Sequence, residues 1–297
     1  MTMREYTAEE WLPCEAGLGE SPLYRQEDDT FFFVDIKNCR VHCVPLDRGW
    51  AGRYTVHLDE PITRLDMVEG RSDYLAVLTR RGFALLNPTS GALELIADVQ
   101  HGDSSLDQKV RLNDGGIDAR GRWWASTMAL DEEAKIGRLW RFDGNKVQDM
   151  SEGKQDETAA VVNGLVWSPS DDIMYACDTP EGKIYQYDYD VENGTASNRR
   201  LFAKLEDGGM PDGLAVDEEG HVWAAANSQG KLVRFSPAGK VTATCVVPGA
   251  KMVSCPAFGE KDMKTLFITS IADDGSTGHV YRAMVDIPGI HRHPFKF

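Results

Sequence analysis

Short apolar runs alternate with polar turns along the whole chain, and one arrangement keeps returning. In Pro211-Asp212-Gly213-Leu214-Ala215-Val216-Asp217 an acidic residue opens an apolar run, Glu218-Glu219-Gly220 turns it, and His221-Val222-Trp223-Ala224-Ala225 runs back. The same order appears in Asn163-Gly164-Leu165-Val166-Trp167 followed by Ile173-Met174-Tyr175-Ala176-Cys177. It appears again in Asn113-Asp114-Gly115-Gly116-Ile117 followed by Trp123-Trp124-Ala125-Ser126. Three further copies open at Glu20, Arg64 and Ser254, so that successive opening residues stand 44, 49, 50, 49 and 42 positions apart. Apolar runs of this length bounded by turn residues read as strands, and two such runs across a short polar turn read as a hairpin.

A second hairpin follows each pair, as in Gly137-Arg138-Leu139-Trp140-Arg141-Phe142, Gly182-Lys183-Ile184-Tyr185-Gln186-Tyr187 and Gly230-Lys231-Leu232-Val233-Arg234-Phe235. Four strands per repeat at a period of about 40–50 residues is the signature of a propeller blade. Six copies predict an all-β, six-bladed β-propeller with four-stranded antiparallel blades, a single domain over residues 1–297. A propeller has to close its ring, and residues 7–13 are expected to supply an N-terminal strand to the last blade. Trp123, Trp124, Trp140, Trp167 and Trp223 recur at blade positions and are expected between blades. The irregular segments 100–109, 129–136 and 151–160 flank channel-lining strands and are candidate rims or lids.

Composition narrows the partners. A formal net charge of −15 argues against nucleic acid and against an anionic membrane. No apolar run approaches the ~18 residues of a membrane span, and the first residues lack the apolar stretch of a signal peptide. Six scattered cysteines without a C-x₂-C pair read as free thiols in a cytoplasmic protein. His291 and His293 read as tail residues.

If the six copies are equivalent, their opening residues sit at one height around the central channel. Glu20, Asn163 and Asp212 are then candidate ligands for one divalent cation, because carboxylate and amide oxygens from several strand ends suit a hard ion. Calcium, zinc, magnesium and manganese all remain open. Asn163-Gly164 and Asp212-Gly213 are also turn dipeptides, so a purely conformational role stays open too. Arg111 and Asn113 stand two apart and share a strand face, a guanidinium and an amide suited to a polyhydroxylated or anionic substrate. Arg64 holds the corresponding place in the second repeat and is a further substrate-binding candidate. No G-x-S-x-G elbow, phosphate-binding glycine loop or H-E-x-x-H motif is present.

These residues carry a resemblance. Gly19-Glu20-Ser21-Pro22, Arg111-Leu112-Asn113-Asp114-Gly115, Thr127-Met128, Asn163-Gly164-Leu165, Pro211-Asp212-Gly213-Leu214 and Cys255-Pro256-Ala257-Phe258-Gly259 together resemble the SMP-30/gluconolactonase/luciferin-regenerating-enzyme family, regucalcin among its members. The resemblance implies a six-bladed propeller with one divalent metal ion in its channel. The metal ligands fall on Glu20, Asn163 and Asp212, the substrate-binding residues on Arg111 and Asn113, and the general base on Asp212. An acid of the loop Ala129-Leu130-Asp131-Glu132-Glu133 is implied as a substrate contact, with Glu133 the candidate. The expected activity is hydrolysis of a sugar (aldono)lactone to its aldonic acid in carbohydrate metabolism, a small molecule being the partner. The alternatives are a non-catalytic calcium-binding regulatory protein and a hydrolase of organophosphorus or aryl esters on the same scaffold.

Overall fold

The computed structural model describes residues 3–151, 153–154, 158–273 and 276–297. Position 152 and positions 155–157, part of the candidate rim segment 151–160, lie outside the described residues. Among the described residues the strands form six sheets in a ring, with one further two-stranded sheet of Ala272–Asp273 and Ser276–Thr277. Blade one comprises Gly19–Arg25, Thr30–Asp35, Arg40–Pro45 and Tyr54–His57, and blade two Arg64–Met67, Leu75–Leu78, Gly82–Leu86 and Leu93–Asp98. Blade three begins at Val110–Ile117, blade four at Val162–Trp167, blade five at Met210–Val216 and blade six at Val253–Gly259. These six first strands line the channel. Each contacts the next, and that of blade six returns to that of blade one. The protein is thus a six-bladed β-propeller of four-stranded antiparallel blades.

Alternation along the second strands explains why nearly all of their residues are apolar. Phe31, Phe32, Phe33 and Val34 are all fully buried. Successive side chains of a strand point to opposite faces, and each face of a blade meets a different neighbour. Phe31 and Phe33 join the core shared with blade six, whereas Phe32 and Val34 join the core shared with blade two. Trp123 and Trp124 divide in the same way between the blade two–three and blade three–four cores. Trp140 joins the former, Trp167 the latter and Trp223 the blade five–six core. The apolar core is therefore distributed over six interfaces, as the aromatic pattern predicts.

The chain ends depart from the simplest expectation. Glu9–Leu12 pairs antiparallel with Val280–Met284 and supplies the fourth strand of blade six. Immediately before it, Arg4–Thr7 adds a fifth strand to blade five, parallel to Val241–Val246. The N-terminal segment thus spans two blades, with Ala8 N–H donating to Val246 O at 2.8 Å between the two strands. At the other end, residues 285–297 cross one mouth of the channel. Ile290 N–H bonds to Val216 O, and Phe295 N–H to Met67 O. Phe295 is fully buried in the blade two–three core. Among the described residues no helix is long and apolar enough to cross a membrane.

Leu12 is fully buried where blade six meets blade one. Leu12→Ala is expected to lower unfolding stability by about 2–5 kcal/mol, the range for truncating a packed core leucine. Urea denaturation tests this, and an unchanged midpoint would mean that the N-terminal strand does not hold the ring shut.

Candidate active site

The first strand of a blade is not straight where its opening residue stands. In blades one, three, four, five and six the register with the second strand slips by one residue immediately beyond or around Glu20, Asn113, Asn163, Asp212 and Ser254. A bulge of this kind re-aims a side chain. Blade two has no such slip, and its pairing from Arg64 to Met67 is regular. Gly164 takes the bend in blade four with φ +67°, and a Cβ there would lie 2.9 Å from Asp212 O. At Gly213 a Cβ would stand 2.3 Å from Cys255 Sγ. Glycine after the opening residue therefore lets neighbouring inner strands approach.

The bulges gather Glu20, Asn113, Asn163 and Asp212 at one end of the channel. Asn113 Nδ2 donates to Asn163 Oδ1 at 2.5 Å and to Val162 O at 3.0 Å. Asn163 Nδ2 donates to Thr179 Oγ1 at 3.0 Å. Arg111 Nη1 donates to Asn113 Oδ1 and to Leu112 O, both at 2.9 Å. Asp212 Oδ2 accepts from Asn227 Nδ2 at 3.2 Å. Glu20 Oε2 accepts from the Ser21 amide at 2.8 Å.

The carboxylates are electrostatically uncomfortable. Burial, then repulsion from Asp114, raises the Asp212 pKa to about 7, against smaller opposing effects of Asn227 and Arg111. Burial, then the charges of Asp212 and Asp114, holds Glu20 well above the ordinary glutamate range. Burial lowers the basicity of Arg111, partly offset by Glu132, Glu20 and Asp212. Among the described residues no carboxylate lies within ion-pair distance of Arg111, so its guanidinium is available to a ligand.

Arg64 lies elsewhere. It is buried, with Nε 3.0 Å from Asp66 Oδ2, Nη2 3.1 Å from Asp66 Oδ1 and Nη1 2.9 Å from Asp114 Oδ1. All three of its donor nitrogens serve this ion pair, which sits beneath the opening residues rather than among them. Asp114 also accepts from Gly115 N at 2.7 Å and Gly164 N at 2.7 Å. Glu133 is exposed, and its amide caps a turn by donating to Asp131 Oδ1 at 3.0 Å. The neighbouring Glu132, with φ 59°, is the acid of that loop whose charge acts on both Arg111 and Asp212. Leu130 N–H donates to Lys109 O at 2.8 Å, joining the rim segments 129–136 and 100–109.

Asn227 escaped the sequence reading. It ends the apolar run Val222-Trp223-Ala224-Ala225-Ala226, and that break in polarity was its only signal. Its Oδ1 is buried and accepts no hydrogen bond. A buried amide oxygen without a donor, beside two carboxylates that repel each other, is the donor chemistry that a hard cation takes, and it suits a packed interior less well. Among the described residues no group of three or more His, Cys, Asp or Glu side chains gathers as a metal site. The oxygen set here is mixed: Glu20 and Asp212 with the amides of Asn163 and Asn227.

Comparison with known proteins places the chain. A model of the SMP-30/Gluconolactonase/LRE-like region matches residues 18–272. Regucalcin of Oryctolagus cuniculus is 33% identical over 271 residues, 88% of this chain and 86% of the relative. A Bacillus subtilis protein provisionally named a sugar lactone lactonase is 28% identical over 292 residues, 94% of this chain and 95% of the relative. A crystal structure described as a calcium-binding protein, regucalcin, from Agrobacterium tumefaciens superposes with a TM-score of 0.87 at 22% identity. It covers 100% of both chains and shares the fold.

Two outcomes follow from the charges. Because the folded Asp212 holds its proton more tightly than the ordinary value of 3.8, the folded protein binds more protons than the unfolded chain between about pH 4 and 7. In chelator-treated protein this contribution to stability is full below about pH 4 and is lost as pH rises through about 7. Asp212→Asn should flatten that arm of the melting-temperature profile, and parallel wild-type and variant profiles would contradict it. Arg64→Ala leaves Asp66 and Asp114 short of their cation and is expected to cost about 3–5 kcal/mol in urea unfolding. A loss of catalysis with stability intact would instead place Arg64 at the substrate.

Proposed function

The chain belongs to the SMP-30/gluconolactonase/LRE-like family, and from that premise we propose that it is a metal-dependent hydrolase opening the ring of a sugar lactone to the free hydroxy acid. What supports this reading is the charge interaction of Glu20 with Asp212, the partnerless oxygen of Asn227 beside Asp212, and the Arg111–Asn113–Asn163 chain. A cytoplasmic setting agrees with six cysteines that are all free.

Glu20, Asn163 and Asp212 would hold the cation, and the spare oxygen of Asn227 would be available as a further ligand. Bound there, a divalent cation supplies Lewis-acid polarisation of an ester carbonyl. Asp212 takes a proton from the attacking water as the water oxygen bonds to the carbonyl carbon. Asn227 fixes the orientation of the Asp212 carboxylate by its bond to Oδ2. The ring C–O bond then breaks, and the proton passes to the departing ring oxygen, giving a carboxylic acid and a hydroxyl in one chain. Arg111 offers its unused donors to the lactone and its hydroxyls. Asn113 ties Arg111 to Asn163, so the substrate contacts and the cation ligands are held in one network. The charge of Glu132, from the rim loop, acts on Arg111 and Asp212.

A second reading, cation binding without turnover, is favoured by the Agrobacterium tumefaciens neighbour, which is described as calcium-binding. One experiment separates the readings. Chelator-stripped protein is assayed by proton release on five- and six-membered aldonolactones and on an aryl ester, with calcium, zinc, magnesium and manganese restored in turn. Cation-restored lactone turnover that Asp212→Asn lowers by roughly 10²-fold or more is expected. Arg111→Ala should lower kcat/KM by about tenfold or more. Tight cation binding with no turnover would transfer the assignment to the calcium-binding reading. Turnover of the aryl ester alone would transfer it to ester hydrolysis.

A further inference from the structure

Below the Arg64–Asp114 layer the channel widens again. A cavity of about 270 Å³ lies between the far ends of the six inner strands and the C-terminal tail, just under the ~300 Å³ at which small-molecule pockets begin. It is separate from the candidate active site: none of Glu20, Asn113, Asn163 and Asp212 lines it. Its walls mix apolar residues, Ile117, Trp167, Phe258 and Met263 among them, with charged ones, and the tail adds Arg292.

Arg292 is poorly matched by its surroundings. Its Nη1 is buried and donates no hydrogen bond. The carboxylate nearest to it, Asp66 Oδ1 at 3.8 Å, already accepts from Arg64 Nη2 at 3.1 Å. The other acids at the chamber are otherwise engaged or turned to water: Asp171 pairs with His293 Nε2 at 3.0 Å, and Glu27 is exposed. Burial and the like charge of Arg64 depress the basicity of Arg292, against smaller opposing effects of Asp66 and Asp114. Trp167, on the same chamber, also leaves a buried Nε1–H without an acceptor. Both unsatisfied groups are donors. Buried donors without partners are uncommon in folded proteins and call for an explanation.

We propose that this lower chamber is a second small-molecule site, independent of the candidate active site, that takes a compact carboxylate with an apolar body. The carboxylate meets the guanidinium of Arg292 on the side turned away from Asp66, where arginine can offer two parallel bonds. The body packs against Trp167 and Phe258.

Benzoate is the probe. Titrated calorimetrically into full-length, chelator-treated protein, it should bind at a single saturable site. Arg292→Gln should weaken it by roughly tenfold or more, the order expected for losing a charge-assisted bond. Glu20→Gln should leave it unchanged, and benzamide, which lacks the charge, should not bind. Absence of saturation, equal affinity in Arg292→Gln, or loss in Glu20→Gln would each overturn the proposal. Should Arg292→Gln fail to fold, wild-type crystals soaked in 4-bromobenzoate decide by the bromine anomalous signal. A peak in the lower chamber upholds the site, and a peak elsewhere or none removes it.

Discussion

A single carboxylate beneath the candidate active site sets the relation between three blades. Asp114, from blade three, accepts from Arg64 of blade two and from the Gly164 amide of blade four. A buried carboxylate is costly unless it is paired and hydrogen-bonded, and Asp114 meets that demand only while all three inner strands keep their spacing. The residues above inherit the result. Gly164 follows Asn163 directly, so the bond that satisfies Asp114 also fixes the bend that aims Asn163 into the channel. The negative charge of Asp114 in turn raises both Glu20 and Asp212. The same group thus shapes the oxygen cluster and leaves it short of positive charge.

Similar bonds run round the remainder of the ring. Ser126 Oγ donates to Val162 O at 2.8 Å, Thr179 Oγ1 to Pro211 O at 2.7 Å, and Ser254 Oγ to Gly19 O at 2.6 Å. The Leu65 amide donates to Ser21 Oγ at 2.8 Å. Small hydroxyl side chains, Ser21 and Ser254 on first strands and Ser126 and Thr179 on or just after second strands, therefore carry the contact from blade to blade, where a bulkier residue would hold the strands apart. Outside this polar ring, six apolar cores supply the mass of the packing.

The repeat made the propeller legible because its signal is local: turn residues, strand-length apolar runs and a steady period. Glu20, Asn113, Asn163 and Asp212 were legible for the same reason, as each opens a copy of one phrase. Arg64 opens a copy too, yet it lies in the ion-pair layer. The difference is the register slip that five blades have and blade two lacks, and register depends on cross-strand pairing that no single strand reports. Glu132 and Glu133 are adjacent acids in one loop, and only the left-handed backbone at Glu132 distinguishes their roles. Asn227 and Arg292 carry no periodic signal. The first ends a strand, and the second sits in a tail whose course is fixed by contacts with Val216 and Met67, both distant in sequence.

The two chain ends give the ring an order of assembly. Arg4–Thr7 and Glu9–Leu12 are made long before their partners Val241–Val246 and Val280–Met284. The blade two–three core likewise lacks Phe295 until the segment carrying it emerges. A nascent chain can therefore pair strands within each blade as it lengthens, yet it carries an open seam at three places until these late segments have joined it. Closure of the ring thus waits on pairings between segments far apart in sequence, the contacts whose loop-closure cost makes them slow to form.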